Sequence, residues 1–164
     1  MTAFKRVFVR RAGALACALA LTGCAGMTAD PSLADVLATR PELSTLNRLV
    51  IQAGLQDSLR GEAPLTLLAP NDEAFKALPQ RTLDALAADP AQLKAVLNHH
   101  LVEGRLATGA MPAKLRTRSG ADIVTSRAGD FVTLEEALIV QADVPARNGN
   151  LDVIDRVLIP PVKK

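Results

Sequence analysis

The chain has 164 residues, two Cys, and no Trp or Tyr, a length that suits one domain with a substantial buried core. Its 19 Lys and Arg outnumber 17 Asp and Glu, yet Lys5, Arg6, Arg10 and Arg11 all precede Cys24; the remainder is slightly acidic and lacks a nucleic-acid binder's basic footprint. Beyond residue 24 the aromatics are Phe75 and Phe131, too few for the stacking platforms of sugar or single-strand clefts.

Residues 1–23 read as a lipoprotein signal peptide, with those four cations ahead of a short apolar core from Ala12 to Leu21. That core is too short to cross a bilayer as a helix. It ends in Leu21-Thr22-Gly23-Cys24, which resembles the bacterial lipobox. The chemistry there needs a cysteine, because its sulfur is the nucleophile that takes up a diacylglyceryl group. Cys24 is therefore the expected lipidation site, carrying fatty acids such as palmitate, and stable anchoring takes more than one such chain. Ala25 stands where an inner-membrane retention signal would place Asp, so the outer membrane is the expected destination. Cys17 leaves with the leader, and no thiol remains for a disulfide, a metal or catalysis.

Residues 24–30 form a small-residue linker, and residues 31–161 the domain. Ser32 with Asp35 reads as a capping box opening a helix that carries Leu33, Val36 and Leu37. Arg40-Pro41 interrupts it, since the residue before proline avoids helical geometry. A second helix places Leu43, Leu46, Leu49, Val50 and Ala53 on one face and stops near Gly54. Leu55 to Arg60 is a further turn of helix. Thr66 to Ala69 is an apolar strand that Pro70 ends, and Asn71 then caps a helix with Asp72 and Glu73 in its first turn. Thr82 to Ala88 is helical. Asp89-Pro90 opens a helix bearing Leu93, Val96 and Leu97. Past residue 100 the texture changes to short strands at Ile123–Thr125, Phe131–Leu134 and Ala137–Gln141, with a turn at Ala128-Gly129-Asp130. Asn148-Gly149 signals a tight turn at positive φ, and the apolar run after it predicts a long final strand ending at Pro160. Helices first and strands after predict an α+β domain.

Three segments carry a resemblance. Leu65 to Phe75 (LTLLAPNDEAF) and Asn148 to Pro160 (NGNLDVIDRVLIP) closely resemble the two signature blocks of the fasciclin domain, and Leu97 to Gly104 (LNHHLVEG) resembles its histidine-bearing central segment. The blocks stand in the family's order and at about its spacing. The resemblance implies a fasciclin-like fold: N-terminal helices packed on a β-sandwich or wedge built largely by the C-terminal half. It also implies a cell-adhesion or interaction module and no enzyme. Some animal relatives engage integrins through a Tyr-His segment and an Asp-Ile segment. Here these positions are His99-His100 and Asp143-Val144, the candidate partner-binding residues, and both segments are altered. Asp152 stands where relatives commonly carry histidine.

Few residues invite a catalytic or metal reading. Side chains of His99 and His100 diverge by about 100° on a helix, so they do not chelate one metal together, and no metal or cofactor is expected. His100 is expected to hydrogen-bond into the fold where the last helix enters the sheet, because a polar group at such a junction needs a partner. No nucleophile elbow, P-loop or zinc spacing occurs. Asp72 and Glu73 fit helix capping better than acid–base chemistry. Arg116, Arg118 and Arg127 form a basic cluster around a predicted turn. The expected function is a lipid-anchored envelope module that meets an unknown protein or extracellular-matrix partner. The alternative is a carrier holding a small apolar ligand in a cleft between helices and sheet.

Overall fold

The computed structural model describes residues 30–160. The leader, Cys24 and the linker up to residue 29 lie outside them. Six α-helices come largely first: α1 (Leu33–Ala38), α2 (Ser44–Gln52), α3 (Gln56–Arg60), α4 (Asp72–Lys76), α5 (Gln80–Ala88) and α6 (Pro90–His99). One strand, β1 (Leu65–Pro70), is inserted among them. The remaining strands are β2 (Leu101–Glu103), β3 (Lys114–Arg116), β4 (Asp122–Ala128), β5 (Phe131–Leu134), β6 (Ala137–Ala146) and β7 (Gly149–Ile154).

Local chemistry sets the helix starts. Ser32 and Asp35 form the capping box, with the Ser32 N–H donating to the Asp35 carboxylate at 3.1 Å. Asn71 Oδ1 accepts from the Ala74 N–H at 2.7 Å, and the Asp89 carboxylate accepts from the N–H groups of Ala91 and Gln92. Gly54, at φ +67°, terminates α2 in the left-handed conformation, and the Leu55 N–H closes back on Val50 O.

The seven strands run in the order β2-β1-β7-β6-β5-β4-β3, antiparallel except for the parallel β1–β7 pair. Every residue of β1 and β7 is buried, so both strands are covered on two faces. Leu65, Leu67, Ala69, Leu151 and Val153 face the helices and pack with Leu33, Leu37, Leu43, Leu46 and Leu93. Leu68 and Ile154 face the other way, into a second core with Val102, Leu115, Ile123, Leu134, Ala137 and Leu158. That second core exists because the sheet curls until its ends meet. Arg118 N–H donates to Leu101 O at 2.7 Å, and Val102 and Thr117 form an isolated bridge. The result is helices on one side of a curled, wedge-like sheet, the α+β arrangement that the resemblance implies.

Around the last hairpin the structure differs from the sequence expectation in three ways. The final strand stops at Ile154, where β1 ends with Pro70 opposite it; on the β6 side a single further backbone bond, Asp155 N–H to Leu138 O, closes the pairing. Strand β6 runs on to Ala146, through two register shifts and a left-handed Asp143 (φ 55°) that hide its periodicity. The hairpin turn is Arg147-Asn148, with neither residue at positive φ. Gly149 is required for another reason: a Cβ there would sit 1.8 Å from Leu65 O, so only glycine lets β7 lie this close to β1.

Candidate functional site

The α6–β2 junction holds both histidines, fully buried. His100 follows the last turn of α6. Its Nδ1–H donates to Val96 O at 2.8 Å, and its Nε2 accepts from the Leu158 N–H at 3.0 Å. Those two bonds fix one neutral tautomer and tie the second signature block to the central one. Burial pushes the ring pKa down to about 4, the Val96 carbonyl opposing and His99 adding to the fall. His99 turns the other way, its Nδ1 lying 3.2 Å from Thr117 Oγ1 and 3.1 Å from Ser119 Oγ. It thereby fastens the end of α6 to the β3–β4 turn, and burial lowers its pKa as well. Neither ring reaches the surface as a contact for a partner.

Asp143 and Val144 lie on β6, separated from the histidine junction by β7 and β1. Asp143 is exposed and Val144 half-buried. The left-handed bend at Asp143 aims its N–H at Asp152 Oδ1 (2.7 Å), while its own carboxylate accepts from the Thr108 N–H at 2.9 Å. Asp152 is buried on β7, and Oδ1 also accepts from the Thr108 hydroxyl at 3.2 Å. Its Oδ2 is buried without a hydrogen-bond partner. Burial raises the Asp152 pKa to about 6, against the pull of the Asp143 N–H and Thr108 hydroxyl, with the Asp143 charge adding to the rise.

The acid–base alternative is occupied otherwise. Asp72 accepts from the Ser44 hydroxyl at 2.7 Å and the Thr45 N–H at 2.8 Å, which docks α4 onto α2, and Glu73 pairs with Lys76 at 2.6 Å. Among the described residues no three His, Cys, Asp or Glu side chains gather into a metal-holding group. The layer between helices and sheet, where the alternative carrier reading places its cleft, is filled by the first core. A groove of about 550 Å³ lies instead among α2, α4 and α5, with Leu49, Phe75, Leu78 and Leu83 in its wall.

Sequence reasoning missed Asn148. Its side chain is buried and joins three elements: Oδ1 accepts from the Leu33 N–H (2.9 Å), and Nδ2 donates to Leu59 O (2.9 Å) and Gly61 O (2.7 Å). Its place beside a glycine reads as turn chemistry, which masks that role. Of the basic cluster, Arg116 and Arg118 flank the β3–β4 turn, while Arg127 stands apart on β4 and donates to Thr108 O at 2.7 Å.

Comparison with known proteins agrees with this geometry. Residues 41–160 match the fasciclin domain. The chain is 31% identical to protein sll1483 of Synechocystis over 134 residues, covering 80% of this chain and 74% of that one. It is 33% identical to the cell surface glycolipoprotein MPT83 of Mycobacterium tuberculosis over 144 residues, covering 85% and 64%. Similarity to the transforming growth factor-beta-induced protein ig-h3 of Sus scrofa is 32% over 136 residues, covering 81% of this chain and 20% of that protein. This chain thus spans about a fifth of that relative's length. A FAS1 domain pair from the insect cell adhesion molecule fasciclin I shares the fold at TM-score 0.64 and 17% identity, covering 79% and 51% of the two chains. The chain belongs to the fasciclin domain family, a family associated with adhesion and interaction at cell surfaces.

Proposed function

We propose that this chain is a lipid-anchored, non-catalytic interaction module of a bacterial cell envelope, held in the outer membrane through Cys24 and engaging a protein or matrix partner. The observation that carries it is one of order: a basic leader and Leu21-Thr22-Gly23-Cys24 stand directly ahead of a single fasciclin domain. Likeness to a cell surface glycolipoprotein supports the compartment. The non-catalytic role is supported by side chains already committed to structure: His100 and Asp72 each hold two parts of the fold together, and Glu73 pairs with Lys76 within α4.

The test is palmitate labelling with membrane fractionation of the wild type and Cys24→Ser. The variant should take up no label and accumulate as unprocessed precursor or soluble product. If it still labels and fractionates like the wild type, the anchoring reading is wrong. Crosslinking in intact cells, followed by purification of the acylated chain, identifies the partner.

A further inference from the structure

The curled sheet closes imperfectly. Past the Val102–Thr117 bridge, β2 turns away toward β1, where Gly104 N–H donates to Pro64 O at 2.8 Å. A groove of about 440 Å³ opens there between β2 and β3. Leu115, Val102 and Leu106 line it, and Lys114, Arg116 and Arg118 stand on its rim. The register fixes what β3 presents to it. Ala113 O accepts from Thr125 N–H, Leu115 pairs with Ile123, and Thr117 N–H donates to Ala121 O, so these residues spend their backbone groups on β4. The Lys114 N–H and C=O and the Arg116 N–H therefore project from the opposite edge, into the groove, while the Arg116 carbonyl meets the Glu103 N–H in the bridge that closes the sheet. Such an edge is a template for a further strand.

The charge on this edge is one-sided. Lys114, Arg116 and Arg118 are exposed, and none of the three takes part in an ion pair among the described residues. Glu103 is the carboxylate lining the same groove, and Asp122 lies opposite Arg116 on β4. Two cations on one three-residue strand and a third in the turn after it, all without an ion-pair partner among the described residues, stand out in a domain that is slightly acidic as a whole.

We infer that the β2–β3 groove binds an extended acidic segment of a protein partner, added as a strand along β3. Side chains on a strand alternate between faces, so the segment's own pattern follows. Acidic residues at alternate positions lie beside Lys114 and Arg116 as cross-strand pairs, and Arg118 meets the segment's end from the β3–β4 turn. Apolar residues between them cover the half-buried Leu106, above the buried Leu115 and Val102. An acidic polysaccharide fits less well: it has no amide ladder to offer the edge, and no aromatic side chain lines the groove to stack a sugar ring. This deepens the interaction role proposed above and rests on it; because it is tested on purified protein, its failure leaves the palmitate result standing.

The experiment uses the acylated chain purified in detergent and a fluorescent peptide of alternating Glu and Val, seven residues long. Anisotropy should report saturable binding, and hydrogen exchange at residues 114–116 should slow in its presence. Lys114→Glu with Arg116→Glu should weaken binding at least tenfold with an unchanged Tm, and Lys114→Arg should retain it. A peptide N-methylated at alternate amides, unable to complete the ladder, should fail to bind the wild type. Equal binding of the N-methylated peptide, preferential binding of polygalacturonate, or no saturable binding of the peptide would each overturn the inference.

Discussion

Asn148 Oδ1 accepts the backbone N–H of Leu33 at 2.9 Å across 115 residues of chain. The same side chain donates to the carbonyls of Leu59 and Gly61, so one amide holds α1, α3 and the β6–β7 turn in register. Asn148→Ala leaves one buried donor and two acceptors without their partner. The expected loss is on the order of 2–4 kcal/mol, read as a fall in the urea midpoint at unchanged slope. A midpoint within experimental error of wild type would show that water replaces the amide at no cost.

Gly149→Ala should be worse, for steric reasons alone. The added Cβ meets the Leu65 carbonyl at 1.8 Å, and both atoms belong to paired backbone in the middle of the sheet. Relief requires parting β1 from β7, a cost of more than about 3 kcal/mol. Gly109→Ala is the control, since nothing lies within 4 Å of its Cβ position. Circular dichroism and soluble yield should separate the two variants clearly.

Truncation along the second signature block should distinguish strand from tail. Ile154 is fully buried in the second core, so Ile154→Ala should cost on the order of 2–5 kcal/mol. Val157 lies beyond the strand and is half-buried, so Val157→Ala should cost no more than about 1 kcal/mol. Equal losses at the two positions would mean that the strand continues past Ile154 in solution.

Two buried groups make opposing demands on pH. The folded pKa of His100 is about 4 against 6.5, so its contribution is complete above pH 6.5 and is lost as the pH falls toward 4. The folded pKa of Asp152 is about 6 against 3.8, so it favours the folded state near pH 4 and loses that contribution as the pH rises through 6. Each amounts to roughly 3 kcal/mol, and between pH 4 and 6 they nearly cancel. Asp152→Asn keeps an acceptor for Thr108 and Asp143 but removes the proton. It should be more stable than wild type at pH 7 and lose stability faster on acidification. Thermal melts of both proteins from pH 4 to 7 check this; parallel profiles would place the Asp152 pKa in the ordinary carboxylate range.

Much of the architecture was legible because it depends on neighbours in the chain. The caps at Ser32, Asn71 and Asp89 each satisfy an N–H two or three residues away, and Gly54 ends α2 by its own φ. The apolar run of β1 announces a strand buried on both faces. Strand β6 was read too short because its bulges and the left-handed Asp143 break the two-residue period on which such readings rest. Strand β7 was read too long because Val157 and Leu158 look like strand, while the ladder to β1 ends at Pro70, opposite Ile154.

The candidate sites divide along the same line. That His100 bonds into the α6–β2 junction followed from its place at the end of an amphipathic helix, where a polar ring needs a partner. Its partner Leu158, the orphaned Oδ2 of Asp152 and the triple engagement of Asn148 depend on contacts across 44 to 115 residues, which no local pattern encodes. The sequence by itself determined the fasciclin framework, through capping residues, apolar periodicity and signature blocks that act within a few residues of one another. Only the tertiary structure decided which sheet edges meet at Val102 and Thr117, and therefore that Lys114, Arg116 and Arg118 border an open groove, because closure depends on the curl accumulated over all seven strands.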